Sequence, residues 1–245
     1  MRIFLSCTAA ILLTVAAGDV LAVEIITVRS GQVGGVPGAP GGLDDIVTYN
    51  PGGNPVAAPV QATPFVAADF AATIAGAPAT VITPNPAWMG GAVAPLSDPL
   101  ARWINFGPFA AAGSALYAVP FFVTSATIPN ATLTVEGGVD DALGDALFGG
   151  PNFDGLYINN LPSGLETLLP GDFNFGVPTT HTQNITSKIA PGQNYLFFYQ
   201  RDAGAGVSGL IFSATIEIVP EPGSIGLAVT GALVFLGRRR RGRGN

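Results

Sequence analysis

Four aspartates, Asp140, Asp141, Asp145 and Asp154, fall within fifteen residues of a glycine-rich stretch. Hard carboxylate oxygens on a turn are the ligands that Ca²⁺ takes. Their spacing is not that of an EF-hand loop, and the competing reading is that each caps a turn through its own backbone and stays in water. With Glu166, the same group offers pairs for acid–base hydrolysis of a glycoside, provided two carboxyls face each other across a cleft at roughly 5 to 9.5 Å.

Other chemistry finds little to stand on. His181 is the only histidine, no Gly-x-Ser-x-Gly elbow accompanies it in the body, and beside Thr179, Thr180 and Thr182 it reads as a surface residue at a strand start. No catalytic residue is assigned. One histidine and one cysteine, Cys7, cannot furnish a zinc site, and no phosphate-cradling glycine motif ending in Lys-Ser/Thr is present. No cofactor is expected, and Ca²⁺ is the one metal the aspartates would suit. Trp88, Phe106, Phe109, Phe148 and Phe153 lie near turn residues, where they would either stack on sugar rings or pack in the core.

The two ends frame this body. Arg2, the apolar run Ile3 to Ala17 and the small residues Val20-Leu21-Ala22 have the order of a secretory signal, predicting cleavage between Ala22 and Val23 by signal peptidase. Cys7 precedes most of that apolar run, so it does not form a lipoprotein box. At the other end, Val219-Pro220-Glu221-Pro222 is held extended by two prolines that lack N–H donors. Residues 224–237 follow as an apolar run of fourteen residues, about 21 Å as a helix, which is marginal against a hydrocarbon core of about 30 Å. Arg238, Arg239, Arg240, Arg241 and Arg243 then form a stop-transfer block that stays cytoplasmic under the positive-inside rule, leaving the body outside the inner membrane.

Net charge separates along the same lines. The chain of 245 residues carries −6 overall, yet from Val23 to Val219 four basic residues face fourteen acidic ones, so the body is at −10. A nucleic-acid backbone would be repelled. Loss of Cys7 with the signal leaves no thiol or disulfide, so stability has to come from burial and strand pairing.

Together, Val219-Pro220-Glu221-Pro222, the run Ile225 to Leu236 and the Arg238 to Arg243 cluster resemble the PEP-CTERM sorting signal of Gram-negative bacteria. The resemblance implies recognition by an exosortase that cuts near the Pro-Glu-Pro element, with this chain as substrate. It also implies a surface or extracellular-matrix setting among exopolysaccharide and biofilm. A permanent single-span anchor is the alternative.

The body itself, residues 23–218, reads as one all-β domain, an antiparallel β-sandwich or jelly roll, flanked by a signal helix (1–22) and a sorting tail with a transmembrane helix (219–245). Residues 31–100 hold eleven prolines and eleven glycines and form a loop-rich half. Within it, Glu24 to Arg29, Ile46 to Tyr49 and Ala79 to Ile82 read as strands, and Trp88 and Trp103 as core anchors. Further strands are predicted over Leu116 to Val123, Ala131 to Glu136, Gly155 to Ile158, Thr180 to Thr186, Gln193 to Gln200 and Gly209 to Ile218, with no long helix. Alternation places Phe212, Ala214, Ile216 and Ile218 on one face and Ile211, Ser213, Thr215 and Glu217 on the other. Tyr195 to Tyr199 is apolar throughout, as a strand covered on both faces is.

Ala101 to Ile104, Ala131 to Asp141, Gly155 to Asn160, Ile185 to Phe198 and Gly206 to Ile218 are similar to the strands and turns of galactose-binding-like sandwich domains, with Asn160 where that family has glycine. That resemblance implies a sandwich and, as one option, polysaccharide binding. The expectation is an exported, non-catalytic sandwich that is structural or binds exopolysaccharide, with a matrix-polysaccharide hydrolase as the alternative.

Overall fold

A computed structural model describes residues 23–50, 63–109, 111–145, 149–153, 155–159, 174–202 and 206–219, and the backbone alone of 167–169. Residues Val23–Val219 form one compact unit. Ala22, Pro220, Glu221, Pro222 and the arginines of the tail lie outside the described residues, as do Phe148, Asp154 and Glu166.

Fourteen strands are described: β1 (Glu24–Arg29), β2 (Gln32–Val33), β3 (Val36–Pro37), β4 (Leu43–Tyr49), β5 (Ala77–Val81), β6 (Ile104–Asn105), β7 (Ala115–Val123), β8 (Asn130–Asp140), β9 (Ala142–Leu143), β10 (Leu156–Ile158), β11 (Thr167–Leu169), β12 (Thr179–Asn184), β13 (Gly192–Arg201) and β14 (Gly209–Val219). Apart from the β2–β3 hairpin they belong to one curled antiparallel sheet, in the order β11-β10-β13-β7-β4-β5-β6-β14-β8-β12, with β1 added to β14 and β9 to β13. Curling brings the β13–β7 run opposite the β14–β8 run in the manner of a sandwich. Phe198 of β13 stacks on Phe212 of β14 across the interior at 4.3 Å.

Period-two patterning builds that interior. Tyr117, Val119, Phe121 and Val123 of β7, Leu196 and Phe198 of β13, and Phe212, Ala214, Ile216 and Ile218 of β14 all enter one apolar cluster. Both runs are covered on their outer faces as well. Against β7 and β13, Phe197, Tyr199 and Leu116 pack on Phe65 and on Phe70 of a short helix, α1 (Ala67–Ile74). Asp69 starts that helix by accepting a hydrogen bond from the Val66 N–H at 2.8 Å.

Against β14, residues 82–103 form a strap whose Trp88 and Trp103 rings lie 4.8 Å apart and bury Ile211. Two glycines make room for it. A Cβ on Gly209 would lie 2.6 Å from the Trp88 ring, and one on Gly138 would lie 2.2 Å from the Met89 methyl. Arg29 and Ser213 both bond Asp98 on the strap, at 2.7 and 2.8 Å.

The nine anticipated strands coincide with nine observed ones to within a few residues, the largest difference being β8, which runs on to Asp140. The loop-rich half differs more. It contains α1, whose Ala-rich turns sit between Pro64 and Gly76, and the very short β2 and β3, too brief to show a period, as is β6 just beyond it. The strand expected over Thr180 to Thr186 stops at Asn184, where the Ile185 N–H bonds the Ala131 carbonyl and the chain turns away. Among the described residues no helix is long and apolar enough to cross a membrane.

Candidate functional site

Strand register sorts the polar residues into two ends of the body. At one end, Gly209 pairs with Asp140, Gln200 with Ala115 and Leu143, and Arg201 with Ala142. The strand ends there gather Asp140, Asp141, Asp145 and Asp202. At the other, Glu24 pairs with Ile218, Val219 with Asn130 and Val123 with Gly192. The chain therefore enters and leaves the body on neighbouring strands. Eleven residues of β14 separate the two ends, roughly 33 Å at about 3.3 Å per residue.

At the aspartate end, Asp145 is fully buried and its Oδ1 lies 3.2 Å from Arg201 Nε, itself almost buried. Its Oδ2 accepts the Asn152 N–H at 3.2 Å, and its own N–H donates to the Asn152 carbonyl at 2.8 Å. Burial pushes the Asp145 carboxyl up, against the pull of the Asn152 N–H and the Arg201 charge. Asp202, also buried, accepts the Gly113 N–H at 2.6 Å, while its own N–H donates to the Ser114 hydroxyl at 2.9 Å. These contacts close the loops between β6 and β7 and after β9 onto the end of β13.

Asp140 is strongly perturbed. Burial, followed by the neighbouring charges and hydrogen bond of Asp141 and the charge of Asp202, raises its pKa to about 7, with the Trp88 indole opposing. Its carbonyl accepts the Gln200 side-chain N–H at 3.1 Å, and Gln200 in turn accepts the Tyr117 hydroxyl at 3.0 Å.

Of the four aspartates proposed for calcium, the structure brings Asp140 and Asp141 together and sets Asp145 to a different task inside the fold. Asp154 lies outside the described residues. Among the described residues no three His, Cys, Asp or Glu side chains are grouped to hold a metal ion. The contact between the Asp140 and Asp141 carboxyls is too close for a glycosidase pair, which leaves room for a sugar or a water. His181 sits half-buried on β12 with Val135, not an acid, as its cross-strand partner.

The aromatic candidates divide. Trp88 is buried against Trp103, and Phe106 packs partly against Tyr49 at 6.1 Å, so both serve the interior. Phe109 is 93% exposed and Phe153 54%. Phe109 and Pro108 border a pocket with Pro40, Val81 and Ile82, where Thr83 supplies the one side-chain hydroxyl. A sugar would find an apolar floor there and few donors.

The terminal end is built differently. Glu24, two residues beyond the Ala22–Val23 bond, bridges the two runs of the sheet. Its Oε1 accepts the Thr124 N–H and hydroxyl, both at 2.7 Å, and its Oε2 accepts the Ser125 N–H at 2.9 Å and hydroxyl at 2.6 Å. Partial burial acts to raise its pKa, but the hydrogen bonds from Ser125 and Thr124 outweigh it and hold the carboxyl at about 2. Asn130 and Asn184, each heading an Asn-x-Thr triplet, are joined side chain to side chain at 2.9 Å, and Thr186 bonds the Ala131 N–H at 2.8 Å. Val219, expected to open the sorting motif, is also the last paired residue of β14. Glu24, Asn152, Arg201 and Asp202 were not singled out by the sequence reading. The available signal was a charged pair, Arg201-Asp202, just after the apolar run Tyr195 to Tyr199.

No protein-family model matches the chain, and no curated protein matches it.

Proposed function

We propose that this is an exported, non-catalytic β-sandwich protein, carried out by its N-terminal signal and sorted through a PEP-CTERM-like tail to the cell surface or extracellular matrix. There it is structural or binds exopolysaccharide, with exosortase and signal peptidase as processing partners. The observation that carries this reading is where the compact unit begins and ends. It spans Val23–Val219, so the signal ends at the residue before it and the sorting motif opens on its last residue, Val219. Cutting at Ala22–Val23 and after Val219 would take no strand and no core residue from the body.

The finer architecture proposed is a galactose-binding-like jelly roll, with a signal helix before it and a membrane-spanning helix over residues 224–237. An adhesive or scaffolding role suits a body in which two of the buried carboxyls, Asp145 and Asp202, are spent on closing loops.

Replacing Pro220 and Glu221 by alanine in a host with an exosortase tests the sorting step. Wild-type protein is expected in the medium or matrix fraction, and the double variant in the membrane fraction with its arginine block intact. Equal release of both would overturn the sorting role.

A further inference from the structure

Resting on that reading of the tail as a membrane span, we infer that the terminal end of the sandwich is a membrane-facing surface, made by Glu24, the β7–β8 connection (residues 124–129) and the β12–β13 connection (residues 185–191). The partner it fits is an anionic lipid surface.

Chain length is the first ground. β14 stays paired up to Val219, opposite Asn130. Only Pro220 to Gly223 lie between it and the apolar run beginning at Ser224. Even fully extended, five residue steps reach roughly 17 Å at about 3.3 to 3.6 Å each. The headgroup layer takes up about 5 to 7 Å of that reach. The aspartate end stands roughly 33 Å farther along β14.

Charge is the second ground. Residues 124–129 and 185–191 contain one formal charge among thirteen residues, and it is positive, Lys188. Glu24 is anionic but directs both carboxylate oxygens at Thr124 and Ser125, and the exposed Glu217 is set back two residues from Val219. The opposite end carries Asp140, Asp141, Asp145 and Asp202 against Arg201. An anionic bilayer therefore repels the far end of a body at −10 and tolerates the near one. Both grounds turn the body the same way, with the aspartate end outward.

The test uses the full chain with Cys7→Ser, which has no cysteine, and two single-cysteine versions of it. Ser187→Cys lies at the terminal end. Gly206→Cys lies three residues before β14 at the other, where an added Cβ meets nothing within 4 Å. Each is labelled with a fluorophore and reconstituted into vesicles of phosphatidylethanolamine and phosphatidylglycerol bearing nitroxide on the headgroups. The expected result is flotation of both proteins with the vesicles and several-fold stronger quenching at position 187 than at 206. Flotation with equal or reversed quenching would overturn the orientation and leave the anchor standing. Failure to float would overturn the membrane-span reading, and the orientation with it.

Discussion

The two ends of the sandwich use carboxylates in opposite ways. At the terminal end a single carboxylate, Glu24, near the surface, collects two N–H and two O–H donors, and its pKa falls to about 2. At the aspartate end Asp140 is buried beside Asp141 and Asp202, and its pKa rises to about 7. Donors near solvent stabilise charge, whereas burial among like charges penalises it, whatever the residue type. The difference also gives the ends opposite responses to pH.

Removing the cation of the aspartate end has the largest expected effect. Arg201→Ala leaves Asp145 buried without its ion-pair partner, a change that costs about 3 to 5 kcal/mol in such settings. Urea unfolding at pH 7 is the measurement, and a loss below about 1 kcal/mol would mean that this pair behaves as a surface one. Gly209→Ala is next, because its methyl would press on the Trp88 ring. Overpacking of this kind costs about 1 to 3 kcal/mol, readable as a fall in melting temperature with loss of the tryptophan near-ultraviolet signal.

Asp140→Asn is expected to act in the other direction. The folded-state pKa of Asp140 lies above its unfolded value, so its contribution is fully present below about pH 4 and is lost as the pH rises towards 7. The amide removes that loss, raising stability at pH 7 by about 1 to 2 kcal/mol after allowance for solvent screening, with little change at pH 4. A variant no more stable than wild type across that range would contradict the burial account. Smallest is Glu24→Ala, about 0.5 to 1 kcal/mol at pH 7. Glu24 has a depressed pKa, so its contribution is present above about pH 4.5 and disappears as the pH falls towards 2. The difference between wild type and variant should close over that window in a pH series of thermal melts.

What could be read from the sequence follows from periodicity. β14 declared itself because its alternate residues face one core, and Tyr195 to Tyr199 of β13 because that strand is covered on both sides, by the interior and by α1. Ile211, placed by alternation on the otherwise polar face of β14, was the one sign that something covers that face, and Trp88 and Trp103 do. The strap itself was not visible, since it is held by two glycines and by Asp98 accepting from Arg29 and Ser213, contacts between residues far apart in the chain. The aspartates were legible as a group but not as individuals. Spacing gives no hint that Asp145 turns inward to Arg201 while Asp140 and Asp141 meet. Nor does it show that Glu24 reaches across a hundred residues of chain to Thr124.

On the proposed reading, the compact unit Val23–Val219 is exported between a signal and a sorting tail that are both removed. Intact-mass spectrometry of the protein recovered from the cell surface or medium tests this most directly. The expected chain starts at Val23 and ends near the Pro220-Glu221-Pro222 element, without the arginine block. A recovered chain that still carries Arg238 to Arg243 and ends at Asn245 would contradict it.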